Sequence, residues 1–147
     1  MKILRRTLPL LLVLLLVACA STPAEEATQL VVTGDQPEKT FTLAQLQAMP
    51  AATASFNGVD YTGVVLKVLL DQAGYDLAAI NAVEAVATDG YSVKYDRDLA
   101  LLDNTLVAYA LAGGDSLSAE DGTFRMVLPD QEGKLNVRML GELHVNP

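Results

Sequence analysis

The amino-acid sequence predicts an α+β domain, a mixed sheet with hairpins and a few short helices. Short β-branched runs outnumber the segments with helical spacing of apolar residues, and the two kinds do not alternate one for one. Two turn signals, Asn57-Gly58 and Thr88-Asp89-Gly90, each separate a pair of such runs and indicate hairpins. The sequence shows no internal repeat that would suggest a second domain.

Eight short segments have the composition of strands and are bounded by turn residues. These segments are residues 29–33, 52–56, 59–61, 82–87, 91–95, 106–111, 123–128 and 142–145. Residues 52–56 and 59–61 form the first predicted hairpin, and residues 82–87 and 91–95 form the second.

Two segments favour helices. Thr42 and Gln45 have the spacing of a capping box, and Pro50 closes the short helix that follows. The clearest helix is predicted from Val64 to Ala73, with Gly74 as a left-handed cap. Its apolar face consists of Val65, Leu66, Leu69 and Leu70.

The N-terminal residues have the pattern of a signal peptide. Three basic residues within the first six precede an apolar run over residues 8–18, shorter than the about 20 residues of a membrane-spanning helix. The run ends in Leu16-Val17-Ala18-Cys19, which resembles the lipobox of bacterial lipoprotein precursors, in which the cysteine thiol receives a diacylglycerol. The alternative is an ordinary cleaved signal peptide with a chance cysteine. Cys19 is the only cysteine, so no disulfide framework is expected.

These features predict three regions: a lipoprotein signal peptide at residues 1–18, a lipidated Cys19 with a flexible tether at residues 19–28, and one domain at residues 29–147. Loss of the three basic residues of the signal peptide changes the formal net charge from −8 to −11. Such a charge opposes binding to nucleic acid. We expect an extracytoplasmic protein of the bacterial cell envelope, attached to the membrane through its lipid anchor.

A search for catalytic or metal-binding patterns is mostly negative. The sequence has no phosphate-binding glycine loop, no nucleophile elbow and no pair of histidines at metal spacing. His144 stands alone in a short strand, which favours a surface side chain over a metal ligand. Asp96, Asp98 and Asp103 lack the glycine and closing glutamate of a calcium loop, so Asp96 or Asp98 is interpreted as a turn cap. We predict no catalytic residue and no metal ligand.

Several short motifs follow one another from about residue 31 to residue 145. They are Thr42-Leu43-Ala44-Gln45-Leu46, Met49-Pro50, Tyr61-Thr62-Gly63-Val64-Val65-Leu66, Leu69-Leu70, Ala73-Gly74, Asp89-Gly90-Tyr91, Ala108-Tyr109, residues 122–129 and Val137-Arg138-Met139-Leu140. Their order and spacing resemble the oxidoreductase molybdopterin-binding domain of the sulfite oxidase family. The resemblance implies a compact sheet-and-helix fold and, in full enzymes, a pterin cofactor whose molybdenum is held by a protein thiolate.

The resemblance also implies a cofactor cleft. The candidate cofactor-binding residues in this chain are Arg125, Lys134 and Arg138. Arg125 has two interpretations: it faces water or pairs with a carboxylate, or it lines a remnant of the cleft together with Arg138. Strand alternation predicts that Arg125 lies on the face opposite Phe124 and Met126.

This chain departs from the family pattern at several positions. Family members often carry His-Gly where this sequence has Asp121-Gly122, and Lys-Trp near the place of Arg138-Met139. The upstream part that supplies the thiolate is not found, and Cys19 is expected to carry lipid. Molybdenum in this family is bound by a soft sulfur ligand. We therefore expect no bound cofactor, and a bound molybdopterin is the alternative.

The sequence therefore predicts an envelope-anchored accessory or binding lipoprotein that keeps the family fold and lacks the metal thiolate. The alternative is a molybdopterin-dependent oxidoreductase component that works with a partner subunit in envelope electron transfer. A third hypothesis is a structural domain that docks against another envelope protein. The fold alone does not separate them, because function depends on the site.

Overall fold

The structure, a computed structural model, describes residues 28–147. The predictions for the signal peptide, for Cys19 and for the tether up to residue 27 lie outside the described residues. Within residues 28–147 the chain forms nine strands and three short α-helices, in agreement with the predicted α+β class. No helix in this part of the chain has the length and apolar character needed to cross a membrane.

The strands of the described domain form two sheets. They are β1 (Gln29–Thr33), β2 (Lys39–Thr42), β3 (Ala52–Phe56), β4 (Val59–Val65), β5 (Ala82–Ala87), β6 (Ser92–Asp96), β7 (Leu106–Leu111), β8 (Arg125–Val127) and β9 (Leu140–Asn146). The first sheet has the order β2-β1-β9-β5-β6, and the second has the order β3-β4-β7-β8. β1 runs parallel to β9, and the other pairs of neighbouring strands are antiparallel. The first sheet is therefore mixed and the second is antiparallel.

Both predicted hairpins are present. Asn57 and Gly58, with φ of 50° and 76°, connect β3 to β4, as a type I′ turn requires. β5 pairs with β6 across the turn that contains Gly90, whose φ is 90°. The prediction for β7 is confirmed residue for residue.

Five strands differ from the prediction. β4 continues to residue 65 instead of ending at residue 61, and β6 spans residues 92–96 instead of 91–95. β2 was not expected, because it is an edge strand of four residues in which only Phe41 is buried, and its hydrophobic pattern is weak. β8 spans residues 125–127 instead of 123–128, and β9 spans residues 140–146 instead of 142–145.

The helices are α1 (Leu43–Gln47), α2 (Leu66–Gln72) and α3 (Arg97–Ala100), followed by a 3₁₀ turn at Gly133–Leu135. The capping box is confirmed, since the Thr42 backbone N–H donates to Gln45 Oε1 at 2.8 Å and the Gln45 N–H donates to Thr42 Oγ1 at 3.3 Å. Asp96 caps α3 by accepting from the Leu99 N–H at 2.9 Å, as one of the two predicted cap residues.

The predicted start of α2 at Val64 is wrong. β4 continues through Val64 and Val65, which pair with Val107 and Leu106 of β7, and the helix begins only at Leu66. Stiff β-branched side chains favour the strand at this junction. The rest of the predicted apolar face is buried, and Gly74 adopts a φ of 95° beyond the last turn, as expected.

Alternation along the second sheet separates two hydrophobic clusters. The larger cluster lies between the elements of both sheets and α2, and it includes Phe124 and Met126. The smaller cluster consists of Ala54, Tyr61, Leu106, Ala108 and Val127. Because Arg125 and Val127 flank Met126 in β8, Arg125 lies on the side of the smaller cluster. The predicted placement of Arg125 opposite Met126 is confirmed.

Candidate functional site

The centre of the candidate site is a buried ion pair between Arg125 and Asp121. Arg125 Nη1 donates to Asp121 Oδ1 at 2.7 Å and to Tyr61 Oη at 3.0 Å. The side chains of Arg125 and Asp121 are only 6% and 11% exposed. Because the pair is poorly hydrated, each charge depends on the other for compensation. Removal of either partner would leave a buried charge without a partner.

Aromatic rings complete the surroundings of the guanidinium. Arg125 Cζ lies 4.7 Å from the centroid of the Tyr61 ring and 5.8 Å from that of the Phe56 ring. Both distances are within the range in which the face of a ring attracts a cation. Tyr61 belongs to β4 and Phe56 ends β3, so the β3–β4 hairpin covers the cation that β8 supplies.

Asp121 is fixed by the backbone of the loop before β8. Its N–H donates to Ser118 O at 3.0 Å, and its carbonyl accepts from the Met139 N–H at 2.8 Å. The next residue, Gly122, has a φ of 74°, and a Cβ there would lie 2.9 Å from Met139 Cα. Only glycine fits this close approach without a shift of the backbone, so the turn that presents Asp121 is tightly defined.

Two adjoining hollows beside the ion pair form what we call the cleft. One hollow of about 300 Å³ is lined by Phe56, Asn57, Val59, Tyr61, Asp121, Arg125, Gly133, Asn136 and Arg138. The other, of about 330 Å³, is lined by Ala87, Asp89, Tyr91, Gly133, Lys134, Asn136, Val137 and Arg138. They share three lining residues, and each has a volume at the lower end of small-molecule sites. The cleft therefore has room for a ligand beside the guanidinium.

Asn136 holds the shared wall of the cleft against β8. Its Oδ1 accepts from the Leu128 N–H at 2.7 Å, and its Nδ2 donates to Glu132 O at 3.2 Å. Asn136 is almost fully buried, and its Oδ1 supplies the acceptor for the buried N–H of Leu128. The loop that carries Lys134 is therefore tied to the strand that carries Arg125.

Every candidate cofactor-binding residue has an acidic partner. Arg125 pairs with Asp121, Lys134 Nζ lies 2.7 Å from Glu132 Oε2, and Arg138 Nη1 lies 3.3 Å from Glu120 Oε2. The pKa of Lys134 is raised above its ordinary value, because Glu132 accepts a hydrogen bond from the ammonium and attracts its charge. The second hollow is also lined by Asp89. The cleft therefore carries little net positive charge.

The structure brings the three predicted cofactor-binding residues to one cleft. Arg125 and Arg138 line the first hollow, whereas Lys134 and Arg138 line the second. Of the two interpretations of Arg125, exposure to water is wrong, while a carboxylate partner and a place in the cleft are both found.

The sequence reasoning missed Asp121 and Asn136 as site residues. A spacing of four joins Asp121 to Arg125, but that spacing indicates a contact only on a helix, and here the two residues lie in a turn and a strand. Asn136 gave no sequence signal, since its role depends on the path of the loop around it.

Within the part of the chain that the structure describes, the residues considered as metal ligands are not clustered. Among residues 28–147, no group of three or more His, Cys, Asp or Glu side chains could hold a metal ion. His144 is exposed, as predicted, and its Nδ1 lies 2.9 Å from Thr33 Oγ1. Cys19 lies outside the described residues.

Comparisons with known proteins agree with the resemblance seen in the sequence. The family profile described as "oxidoreductase molybdopterin binding domain" matches residues 51–147. The sulfane dehydrogenase SoxCD from Paracoccus pantotrophus superposes with a TM-score of 0.70 at 21% identity, over 80% of this chain and 38% of that one. The chain thus spans well under half of that protein and shares its fold. The comparison with curated proteins gives no match. The chain belongs to the oxidoreductase molybdopterin binding domain family, of the sulfite oxidase type.

Proposed function

We propose that this chain is an envelope lipoprotein whose molybdopterin-binding-type domain acts as an accessory or binding protein and does not hold molybdenum. The observation that carries the proposal is the buried pair of Arg125 and Asp121, in which the innermost cation of the cleft is neutralised by the protein itself. The accessory role, the lipid anchor and the envelope location are parts of the same proposal.

The charges of the cleft do not fit a pterin phosphate. Binding of a phosphate is strong when cations are free to form charge-assisted hydrogen bonds to its oxygens. Here Arg125, Lys134 and Arg138 each have a carboxylate within 3.3 Å or less. An incoming phosphate would meet a negative charge beside each of these cations, and Asp121 is buried and held by its backbone.

The domain also offers molybdenum no thiolate. Residues 28–147 contain no cysteine. Met126 is fully buried in the larger hydrophobic cluster, and the thioether of Met139 carries no negative charge. A metal that needs an anionic sulfur ligand from the protein would therefore find none in this domain. The residues present do not fit the metal.

The proposed anchor would hold the domain close to the membrane surface. If Cys19 carries the lipid, the ten residues 19–28 would span at most about 35 Å before β1. Stable anchoring by acyl chains follows from about 0.8 kcal/mol for each buried CH₂ group. Replacement of Cys19 by Ser should then abolish fatty-acid labelling and leave an uncut precursor. A wild-type protein that carries no lipid would remove this part of the proposal.

The rim of the cleft favours a protein partner. Val59 and Tyr91 line the two hollows, and both are among the large apolar side chains that the described surface exposes. Exposed aromatic side chains beside a pocket are typical of interaction sites. An accessory protein that contacts another envelope protein through this rim fits these observations.

A molybdopterin-dependent component of envelope electron transfer is the second candidate function. It is favoured by the family membership and by Arg138 and Lys134, whose side chains are 57% and 67% exposed and can exchange their acidic partners at low cost.

Metal and pterin analysis of the protein purified from its own host separates the two functions. We expect no stoichiometric molybdenum and no retained pterin. One molybdenum for each chain, lost when Arg125 and Arg138 are both changed to Ala while the circular dichroism spectrum is kept, would establish the second function instead.

A further inference from the structure

The carboxylate of Asp121 lies where an oxyanion bound to Arg125 would lie. It accepts from Nη1 at 2.7 Å, beside the Tyr61 hydroxyl, which lies 3.0 Å from the same nitrogen. These two acceptors use both hydrogens of Nη1. Within the described residues, the other bond of the guanidinium is a long one, 3.4 Å from Nε to Met126 O.

The second terminal nitrogen of Arg125 has a different environment. No described residue accepts a hydrogen bond from Nη2. Among the described residues, Nη2 is also not one of the fully buried polar atoms that lack a partner, so it keeps contact with solvent. Since Arg125 lines the first hollow and Nη2 has no acceptor among the described residues, Nη2 is the donor that a ligand in that hollow could use. The site therefore keeps a hydrogen-bond donor while its charge is already balanced.

We infer that Asp121 is the charge-selectivity residue of the cleft, an internal anion that excludes oxyanions from Arg125 and leaves Nη2 for the carbonyl oxygen of an uncharged ligand. An added sulfate or phosphate would meet the fixed carboxylate at hydrogen-bonding distance from the same cation, and like charges so close repel in a poorly hydrated site. A neutral acceptor meets no such repulsion. This inference rests on the proposed function, because it takes the cleft to bind a ligand other than the family's anionic cofactor.

The direct test is the replacement Asp121→Asn, which keeps the size of the side chain and removes its charge. Glu120→Gln is the matched control, because it makes the same charge change one position earlier, at the partner of the exposed Arg138. The double variant Asp121→Asn with Arg125→Met removes the cation as well. Each protein, purified from its own host, is titrated with sodium sulfate and with phosphate by calorimetry, with sodium chloride at equal ionic strength as reference.

We expect wild type and Glu120→Gln to show no saturable sulfate binding. Asp121→Asn should bind sulfate saturably, at least about tenfold more tightly than the detection limit that bounds the affinity of wild type. A factor of about ten corresponds to one charge-assisted hydrogen bond, and the double variant should lose this gain. Equal sulfate binding by wild type and Asp121→Asn would overturn the inference. An equal gain in Glu120→Gln would also overturn it, because the effect would then follow from net charge alone.

The role of Asp121 can also be tested if Asp121→Asn fails to fold. If the variant is unfolded in chloride, sulfate should restore its near-ultraviolet circular dichroism at concentrations at which chloride does not, since the anion takes the place of the lost carboxylate. Failure of sulfate to restore the signal would refute the inference. Molybdenum found in wild-type protein would contradict the proposed function, whereas a lack of sulfate binding by Asp121→Asn would contradict only the role of Asp121.

Discussion

The effects of Arg125 and Asp121 on the free energy of unfolding should be strongly coupled. At the 2.7 Å between Nη1 and Oδ1, their attraction is about 6 kcal/mol if the effective dielectric constant is about 20. Desolvation of the two ions costs several kcal/mol each, so the net contribution of the intact pair to the free energy of unfolding is close to zero. Either partner without the other keeps the desolvation cost and loses the attraction, which typically destabilises a protein by about 3–5 kcal/mol.

The assay is a double-mutant cycle with Arg125→Met, Asp121→Asn and the combined variant, followed by urea unfolding and by thermal melts. For a domain of about 120 residues, the entropy of unfolding is near 0.25 kcal/mol/K, so each single change should lower Tm by about 12–20 °C. The combined variant should be no less stable than either single variant, with a coupling energy of at least about 2 kcal/mol.

The exposed pair of Arg138 and Glu120 provides the control cycle. Its side chains are 57% and 84% exposed, so its coupling should stay below about 1 kcal/mol. Two results would refute the reasoning: a shift in Tm below about 4 °C for Arg125→Met, or strictly additive effects of the two changes at the buried pair.

Three further predictions concern the fold that supports the site. Gly63→Ala should destabilise by about 3 kcal/mol or more in urea unfolding, because its Cβ would lie 2.1 Å from Val107 O, whereas Gly113→Ala, with open space around it, should be neutral or slightly stabilising. Leu69→Ala, at a fully buried position of α2, should cost about 2–5 kcal/mol, and a cost below 1 kcal/mol would mean that this helix face is not well packed. Burial raises the pKa of the Tyr95 hydroxyl, so stability should fall as pH rises above about 10, where the unfolded state ionises first, and Tyr95→Phe should flatten that fall in alkaline melts.

Local signals in the sequence predicted much of the fold. The hydroxyl of Thr42 and the amide of Gln45 specify the start of α1 through hydrogen bonds within four residues, and Asn57-Gly58 specifies its turn through backbone conformation. Such signals need no knowledge of distant parts of the chain. The start of α2 was missed because the pairing of Val64 with Val107 of β7 is a contact across 43 positions that periodicity does not contain.

The candidate site was only partly predictable for the same reason. Arg125, Lys134 and Arg138 came from the resemblance to the family, and they do line one cleft. The internal neutralisation of Arg125 depends on the turn at Gly122 that presents Asp121, and that turn is defined by its contact with Met139. Only the folded chain brings these parts together. The lipid on Cys19 stays a prediction.

Strand β9 can enter the first sheet only after the rest of the domain has been synthesised. It lies between β1 and β5, and the side-chain hydrogen bonds that join Thr33 to Glu142 and to His144 span 109 and 111 positions. Contacts so distant in sequence slow folding, because the entropy of closing the intervening chain must be overcome before pairing stabilises it. A growing chain therefore keeps this sheet open until residues 140–146 emerge. For a protein proposed to cross a membrane, that delay keeps the polypeptide unfolded, and so able to pass through the membrane, until its translocation is nearly complete.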